Sequence, residues 1–359
     1  MSVPVAALVS GGVDSSVALC LLKEQGYDIT AFYLKIWLED ELAYLGSCPW
    51  QEDLKYIEEV CAKLGVKLEV VSLQAEYWSE VVSYTISQIK AGLTPNPDIL
   101  CNQRIKFGAF FNKISPHFKF VATGHYAQIE RKDNITYLCT ALDKVKDQTY
   151  FLSHLNQEQL ARALFPIGHL YKTEVRQLAK KFDLPNQDRK DSQGICFLGK
   201  LKFAEFVKFH LGEKIGDLVE FETNKILGQH NGYWFFTLGQ RQGLGLSGGP
   251  WYVVSKDVHK NIVYISKQYY SSEKERKIFY VSQPNWIPSK PNLDQTFGIK
   301  LRHGPNFNQA ELTRANPDYL QVTLKDQEHS ITTGQFAVFY DISHKYCLGG
   351  VVITDFKPE

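Results

Sequence analysis

Apolar and polar segments alternate regularly over the first 200 residues of the chain. Short apolar runs predict strands at residues 3–9, 28–35, 67–72 and 118–123. The longer segments between them predict helices at about residues 14–25, 51–64, 76–91 and 103–115. Such alternation is typical of an α/β fold with a doubly wound parallel sheet, whose ligands bind at the carboxyl ends of the strands.

The pattern changes after residue 199, where aromatic and β-branched residues form short segments between glycine turns. These segments predict strands at residues 233–236, 251–254, 262–265, 278–281, 296–302, 320–324, 335–340 and 348–353. A charged run at 271–276 looks like a linker. We therefore predict an α/β domain at residues 1–200, a small β-rich central domain at 201–275 and a C-terminal β-barrel at 276–359.

The composition of the 359 residues, 44% hydrophobic and 22% charged, indicates a globular protein of two or three domains. The first residues lack a basic segment followed by an apolar stretch, and no apolar run approaches the length of a membrane span. We therefore expect a cytoplasmic protein without a membrane partner. The seven cysteines are scattered without a C-x-x-C pair, so the sequence indicates neither a disulfide framework nor a zinc finger.

The net charge of +1 hides an asymmetry along the chain. Residues 170–208 carry nine basic and five acidic side chains, whereas residues 38–80 carry three basic and ten acidic ones. A positive stripe beside an otherwise neutral enzyme suits a folded RNA. Helices with lysines on their solvent face give the same count, so both interpretations stay open.

A glycine-serine segment, Ser-Gly-Gly-Val-Asp-Ser-Ser at residues 10–16, separates the first predicted strand from the first predicted helix. Gly11 and Gly12 allow a tight turn and a close approach to a ligand, while the N-terminus of the helix attracts an anion. The segment therefore predicts a phosphate-binding loop. No lysine follows the glycines, so the pattern G-x-x-x-x-G-K-[ST] is not met. A plain turn capped by Asp14 or Ser15 is the alternative.

Two further strand ends fall at the same edge of the predicted sheet. Leu34 could line an adenine pocket, although a leucine at a strand end also suits the core. Gly124 follows the strand at 118–123 and permits the close backbone approach that a nucleotide needs, although a turn also explains it.

Two cysteines lie in segments whose neighbours suggest chemistry. Two prolines stiffen the segment before Cys101 into a loop, and the helix start and two bases after it favour the thiolate. Asp98 could act as a general base or cap the helix. Cys196 lies in a loop at the edge of the predicted first domain. Each cysteine also suits a buried, inert position, so the residues alone leave the question open.

The segment at 10–16 resembles the S-G-G-x-D-S signature of the PP-loop ATP pyrophosphatases, which cleave ATP between its first two phosphates and leave AMP on a substrate oxygen. Six further motifs follow in order, namely N-P-D-I-L-C-N with I-K-F-G, A-T-G-H-Y-A, K-D-Q-T-Y-F-L, D-S-Q-G-I-C-F, T-L-G-Q-R-Q-G-L-G and C-L-G-G. Together the motifs resemble the tRNA-specific 2-thiouridylases of bacteria and organelles. The resemblance implies a PP-loop nucleotide domain, a small central domain and a C-terminal β-barrel.

The resemblance also implies a reaction. ATP would adenylate the C2 oxygen of the wobble uridine in a tRNA anticodon, and sulfur would then replace AMP to give 2-thiouridine. Cys196 would receive the sulfur as a persulfide from a donor protein and attack C2. Cys101 would release the product and leave a Cys101–Cys196 disulfide for a cellular reductant. Asp14 would help to hold Mg²⁺, which needs only one or two protein carboxylates.

The resemblance also implies which of the remaining site residues bind each of two ligands. The residues expected to bind ATP are Leu8, Val9, Ser10, Gly11, Gly12, Val13, Asp14, Ser15, Leu34 and Gly124. The residues expected to bind tRNA are Asn96, Pro97, Asp98, His125, Lys146, Asp147, Gln148, Arg302, His303 and Gln335. The first three would meet the target base, which must leave the anticodon stack to be reached.

One departure and three alternatives accompany this interpretation. His303 and Gly304 stand where many relatives would have an aromatic and a basic residue. Asp98, Cys101 and Cys196 could instead ligate an iron–sulfur cluster, as in some members of the family. An ATP-dependent amidotransferase or synthetase on the same fold would need no redox thiols. A non-catalytic RNA-binding module would consume no ATP.

Overall fold

The computed structural model describes residues 2–36, 49–191, 203–268, 276–282, 284–328 and 331–354. Cys196 and most of the expected linker at 271–276 lie outside these residues. The α-helices are α1 (Val13–Glu24), α2 (Pro49–Leu64), α3 (Gln74–Tyr77), α4 (Ser83–Lys90), α5 (Pro97–Leu100), α6 (Phe110–Lys113), α7 (Thr149–Leu152), α8 (Gln157–Ala161), α9 (Lys172–Lys181) and α10 (Phe203–Leu211). The strands are β1 (Pro4–Leu8), β2 (Asp28–Lys35), β3 (Lys67–Ser72), β4 (Phe120–Ala122), β5 (Ala127–Lys132), β6 (Ile135–Thr140), β7 (Ala163–Leu164), β8 (Gly216–Glu220), β9 (Ile226–His230), β10 (Tyr252–Asp257), β11 (Ile262–Ser266), β12 (Arg276–Val281), β13 (Asn285–Trp286), β14 (Thr296–Lys300), β15 (Asn308–Arg314), β16 (Leu320–Glu328), β17 (Phe336–Tyr340) and β18 (Tyr346–Thr354).

The predicted parallel sheet is confirmed in the first domain. Its strands lie in the order β3-β2-β1-β4-β7, and each neighbouring pair is parallel. The apolar strand β1 is central and buried, as expected for a sheet covered on both faces. The chain continues from β1 to β2 on one side, whereas β4 lies on the other. The loop after β1 therefore lies at the topological switch point, where such sheets bind ligands.

The two helical segments between β3 and β4 each contain wide, π-helical turns. In the first, Trp78–Val82 joins α3 to α4. In the second, the helix begins at Pro97, earlier than the sequence predicts, and Cys101–Ala109 is π-helical. The expected loop is wrong at Pro97 because a proline at the first helical position gives up no hydrogen bond. Cys101 therefore lies inside a helical segment.

The β-rich central part is also confirmed, with strands in the order β10-β11-β8-β9. The strand predicted at 233–236 is wrong, because Tyr233–Phe235 forms a 3₁₀ helix. Four consecutive aromatic residues show no alternation between apolar and polar positions. The helical turn buries Tyr233 and Phe236 in the same small core, whereas a strand would point them to opposite faces.

The C-terminal part is an antiparallel barrel, as predicted. Its strands follow the order β12-β16-β15-β14-β17-β18, and β18 also pairs with β12, which closes the ring. The sequence does not predict the hairpin β5–β6 in the first domain. Asp133 and Asn134 form its turn with positive φ angles, and this turn pair was the signal for it. Strand β6 pairs with β18, so one continuous sheet joins the first domain to the barrel.

A large buried core crosses the same junction. It contains Ala6 and Cys101 of the first domain together with Phe336, Tyr340 and Cys347 of the barrel. The helical segment that carries Cys101 is thus packed between two parts of the molecule. In the part of the chain that the structure describes, no helix has the length and apolar character needed to cross a membrane.

Candidate nucleotide and thiol site

The loop at residues 10–16 has its conformation fixed by its own serines. The Ser10 N–H donates to the Ser15 hydroxyl at 3.2 Å, and that hydroxyl donates to the Gly12 carbonyl at 3.0 Å. Gly11 has a φ of +73°, and a Cβ there would lie 2.9 Å from the Asp53 carbonyl oxygen. Only glycine fits this position without strain. The flanking residues Leu8, Val9 and Val13 are buried and anchor the loop to the core.

Two side chains from a segment distant in sequence donate hydrogen bonds to this loop. Asn186 donates to the Gly11 carbonyl at 2.8 Å and to the Ser16 hydroxyl at 2.9 Å. Arg189 donates to the same carbonyl at 3.0 Å and forms an ion pair with Asp53 at 2.5 Å. The local sequence does not reveal either contact, because more than 160 positions separate these two residues from the loop.

The carboxylate of Asp14 is already paired. Lys172, the first residue of α9, brings its ammonium group to 2.8 Å from both carboxylate oxygens, and the Tyr126 hydroxyl donates to one of them at 3.0 Å. The same ammonium group lies 2.8 Å from the carboxylate of Asp191. Two carboxylates therefore contact one ammonium group, and that of Asp14, which belongs to the loop, offers the oxygen ligands that Mg²⁺ prefers.

Asp191 is surrounded by cations. Besides Lys172, Lys146 lies 3.0 Å from its carboxylate and Arg176 lies 2.5 Å away. Partial burial acts to raise the pKa of Asp191, but hydrogen bonds from Lys172 and Lys146 outweigh it and lower the pKa to about 2. Lys172, Arg176 and Arg189 are thus committed to carboxylates beside the loop. These three bases of the predicted positive stripe do not form an open surface for RNA.

Gly124 lies against the start of α1. A Cβ at this position would be 2.8 Å from the Ser15 backbone nitrogen, so only glycine allows the contact. The next residue, His125, is half-buried, and its Nδ1 lies 2.8 Å from the Thr123 hydroxyl. Burial lowers the pKa of His125 well below 6.5, and the charge of Lys106 acts in the same direction. Leu34 is partly buried and packs against the large core.

Cys101 is not the exposed thiolate that the sequence suggests. Its side chain is 1% exposed. Burial raises the pKa of its thiol to about 11, although Lys106 and a hydrogen bond with Tyr77 act to lower it. The negative charge of Asp98, one turn earlier, also raises the pKa of the thiol. The expectation of a thiolate is wrong because tertiary packing outweighs the neighbouring bases.

The segment before Cys101 is held by the barrel. Gln335 donates to the Thr94 carbonyl at 2.9 Å, and the Thr94 N–H donates to the Thr333 carbonyl at 3.1 Å. Asn96 precedes the first turn of α5 and hydrogen-bonds to Tyr150. Pro97 is buried, so its ring is not open to a base. The structure thus places Gln335 against the segment that contains Asn96 and leads to Cys101.

Asp147 is buried at the junction between the first domain and the barrel. Its carboxylate lies 3.1 Å from the Lys300 ammonium group, and both side chains are 1% exposed. Thr149 donates to the same carboxylate at 2.9 Å, as does the Ala141 N–H at 3.0 Å. The side chain that the motif assigns to tRNA is therefore fully engaged inside the protein.

The neighbours of Asp147 differ in their exposure. Gln148 is half-buried and accepts a hydrogen bond from the Tyr126 N–H at 3.0 Å. His303 contacts the Asp147 carbonyl through Nε2 at 3.0 Å and stacks on Phe151 with 4.8 Å between ring centroids. His303 is exposed overall, yet the loss of solvent around its ring lowers its pKa. Arg302 is exposed.

The thiol chemistry that the resemblance implies would involve two cysteines, of which the structure describes Cys101. Among the described residues, no group of three or more His, Cys, Asp or Glu side chains is placed to hold a metal ion. A disulfide or an iron–sulfur ligand set that includes Cys196 falls outside the described residues.

Three protein families match successive parts of the chain. The family described as tRNA methyl transferase HUP domain matches residues 3–200. The tRNA methyl transferase PRC-barrel domain matches residues 204–267, and the aminomethyltransferase beta-barrel domain matches residues 276–353.

Several relatives are similar over nearly the whole chain. A protein of Parabacteroides distasonis named tRNA-specific 2-thiouridylase MnmA is 47% identical over 357 residues, which cover 98% of this chain and 99% of that protein. A protein of Bacteroides thetaiotaomicron named tRNA-specific 2-thiouridylase MnmA 1 is 46% identical, and one of Porphyromonas gingivalis named tRNA-specific 2-thiouridylase MnmA is 45% identical, each with the same coverage. This chain belongs to the tRNA-specific 2-thiouridylase family.

Proposed function

We propose that the chain is an ATP-dependent tRNA sulfurtransferase that converts the wobble uridine of tRNA anticodons to 2-thiouridine. The observation that carries this proposal is the glycine-serine loop with Asp14 at the switch point of a parallel sheet. Its support comes from relatives that share the whole length of the chain and are named tRNA-specific 2-thiouridylases.

In the first step, the C2 oxygen of uridine attacks the α-phosphate of ATP. A bond forms between that oxygen and phosphorus, and the bond to pyrophosphate breaks. The loop N–H groups and the positive end of α1 would stabilise the phosphates. Gly11 and Gly124 would permit close approach of the backbone, and Leu34 would contact the adenine. Mg²⁺ held by Asp14 would supply positive charge at the phosphates.

In the second step, the terminal sulfur of a persulfide on Cys196 attacks C2, and AMP leaves with the uridine oxygen. The thiolate of Cys101 then attacks the sulfur atom of Cys196. The bond between the two sulfurs of the adduct breaks, 2-thiouridine leaves, and a Cys101–Cys196 disulfide forms. A sulfur-donor protein supplies the persulfide, and a cellular dithiol supplies two electrons to reopen the disulfide.

The raised pKa of Cys101 gives Asp98 a role in this step. A thiol with a pKa of about 11 needs a proton acceptor before it can attack at neutral pH. Asp98 lies one turn earlier in the same helical segment and interacts with the thiol electrostatically. We infer that Asp98 takes the proton as a general base once the substrate is bound.

We propose that the tRNA contacts the edge where the first domain meets the barrel. Asn96 and Asp98 would meet the flipped uridine. Lys146, Arg302 and His303 would contact the RNA backbone, and His125, Gln148 and Gln335 would shape the surface around them. Asp147 and Pro97 would support this surface without touching the RNA, because both are buried.

The test is mass spectrometry of tRNA incubated with the protein, ATP and a persulfide donor. We expect oxygen-to-sulfur exchange at the wobble uridine, with one AMP and one pyrophosphate for each thiouridine. Cys101→Ser and Cys196→Ser should abolish the exchange, whereas Cys61→Ser, at a buried cysteine in α2, should retain it. Thiolation that survives both active-site substitutions would contradict the proposed chemistry.

Protein purified without oxygen should also be assayed for iron. The disulfide route predicts full thiolation by iron-free protein. A stoichiometric cluster that is required for activity would replace that route with an iron–sulfur mechanism.

A further inference from the structure

The phosphate-binding loop has no lysine of its own. The residues that follow Gly11 and Gly12 are Val, Asp and two serines, so the loop offers N–H groups, hydroxyls and a carboxylate. A bound triphosphate carries several negative charges, and a carboxylate beside it adds repulsion. The positive charge for the phosphates must therefore come from a metal ion and from side chains elsewhere in the chain.

Lys172 lies where such a side chain is needed. Its ammonium group is 2.8 Å from each oxygen of Asp14, which is the second residue of α1 and borders the loop. The Lys172 side chain is 14% exposed, so most of it is packed against the protein and its ammonium group reaches the site. It also lies above the Tyr126 ring, with 5.9 Å from the nitrogen to the ring centroid.

The position of Lys172 is built into the fold. It is the first residue of α9, and its backbone N–H donates to the Asp143 carboxylate at 3.0 Å. Glu174 accepts a hydrogen bond from the Tyr171 N–H at 2.7 Å, which fixes the start of the helix. A second carboxylate, that of Asp191, holds the ammonium group from the other side at 2.8 Å.

We propose that Lys172 is a phosphate ligand of the nucleotide site and that it competes with the divalent cation for Asp14. This inference rests on the proposed use of ATP. When the cation takes the oxygens of Asp14, the ammonium group keeps Asp191 as a partner and turns to the β- and γ-phosphates. The lysine thus serves the role that the loop lysine serves in G-x-x-x-x-G-K-[ST] proteins, from a helix more than 150 residues away.

This arrangement gives a signature that a purely structural lysine would not produce. Removing the ammonium group should weaken nucleotide binding, because a charge-assisted hydrogen bond is lost. The same change should strengthen the binding of a divalent cation alone, because Asp14 no longer has a competing partner. A lysine that only stabilised the fold would weaken both.

The experiment compares Lys172→Met with wild type and with Lys180→Met, which removes an exposed lysine of the same helix. Binding of α,β-methylene-ATP, which cannot be cleaved at the reacting bond, is measured by calorimetry with Mg²⁺ present. We expect roughly a 10- to 100-fold loss for Lys172→Met and no change for Lys180→Met. Lys172→Arg, which keeps the positive charge, should lose less than the methionine variant and also serves if that variant does not fold.

The second arm titrates each protein with Mn²⁺ alone, and electron paramagnetic resonance counts the free ion. We expect about two- to fivefold tighter Mn²⁺ binding in Lys172→Met, the size expected for a partly exposed ion pair. That gain should vanish in Asp14→Asn/Lys172→Met. Unchanged or weaker Mn²⁺ binding in Lys172→Met, or unchanged affinity for the analogue, would overturn the inference. A wild-type chain that does not bind the analogue at all would instead contradict the proposed function.

Discussion

The loop at residues 10–16 and the helical segment around Cys101 belong to the same domain but are prepared for chemistry to different degrees. The loop has its backbone fixed by Ser10, Ser15 and Asn186. Its charged partners reach the edge of the sheet, where a ligand can meet them. Cys101 is buried in a core shared with the barrel, and burial raises the pKa of its thiol to about 11.

This difference separates the two halves of the proposed reaction. Phosphate binding needs a fixed set of donors, and such a set exists in the loop. Sulfur transfer needs an accessible thiolate, yet at pH 7 a thiol with a pKa of about 11 is ionised in about one molecule in ten thousand. We therefore infer that the nucleotide site is preformed, whereas the sulfur site is completed by the bound tRNA. The following predictions test this contrast.

The largest effect is expected from Cys101→Ser. Without the thiol, the adduct on Cys196 cannot be resolved, so thiouridine formation should fall by on the order of a thousandfold or more. Pyrophosphate release in the first turnover should stay within about threefold of wild type, because the loop is unaffected. Quenched-flow assays of both products measure the split. Equal losses in both products would show that the two halves are not separable, and Cys61→Ser serves as the control.

The next largest effect concerns the buried Asp147–Lys300 ion pair, which lies at the junction between the first domain and the barrel. Asn102 donates to the Phe151 carbonyl at 3.1 Å, which links the helical segment around Cys101 to α7 beside Asp147. Asp147→Leu leaves the Lys300 ammonium group buried without its partner, and we expect a loss of about 3 to 5 kcal/mol in the free energy of unfolding. Urea denaturation measures it.

Two controls accompany that substitution. The double variant Asp147→Leu/Lys300→Met should recover most of the stability, because no buried charge remains. Glu130→Gln, which breaks the exposed pair with Lys345, should change the stability little. A double variant no more stable than Asp147→Leu would contradict the assigned role of the ion pair.

A smaller effect is expected from pH. Burial raises the pKa of the Cys101 thiol to about 11. Below pH 11, the thiolate fraction therefore rises about tenfold for each unit by which the pH increases. In the absence of tRNA, the reaction of Cys101 with a small disulfide should therefore accelerate, by up to about a hundredfold between pH 7 and 9. Binding of α,β-methylene-ATP should change little over this range. A flat rate without tRNA would mean that the thiol is already ionised before the substrate binds, which would contradict the contrast between the two sites.

The smallest effect is expected from Gln335→Ala. This variant loses the hydrogen bond to the Thr94 carbonyl, worth about 1 kcal/mol, so sulfur transfer should slow by about fivefold. Nucleotide affinity should be unchanged, because Gln335 contacts the segment before Cys101. Gln321→Ala, elsewhere in the barrel, is the matched control. A weaker affinity for the nucleotide would show that the barrel also supports the loop.

The local sequence predicts the parts of the molecule that depend on neighbours along the chain. Strands β2 and β3 have the predicted bounds, and the loop at 10–16 follows β1 as its glycines and serines indicate. The strand predicted at 233–236 is wrong because the aromatic run has no periodicity that would separate a strand from a helical turn. The hairpin β5–β6 has a turn signal, but a signal of two residues is too short to identify a hairpin.

Long-range packing accounts for what the sequence could not reveal. Lys172 and Asn186 reach the loop from segments whose spacing gives no hint of the contact. The polar run around Asp147 has the composition of an exposed loop, yet its carboxylate meets Lys300 in the interior. Cys101 has bases nearby in sequence, but burial raises the pKa of its thiol by more than the nearby Lys106 lowers it.

Transfer of the uridine oxygen to AMP tests the central claim most directly. A tRNA with oxygen-18 at C2 of the wobble uridine is incubated with the protein, ATP and a persulfide donor, and the AMP is weighed by mass spectrometry. Adenylation of that oxygen predicts one labelled AMP for each thiouridine formed. Thiouridine formed with unlabelled AMP would contradict the account, because the oxygen would then leave by another route.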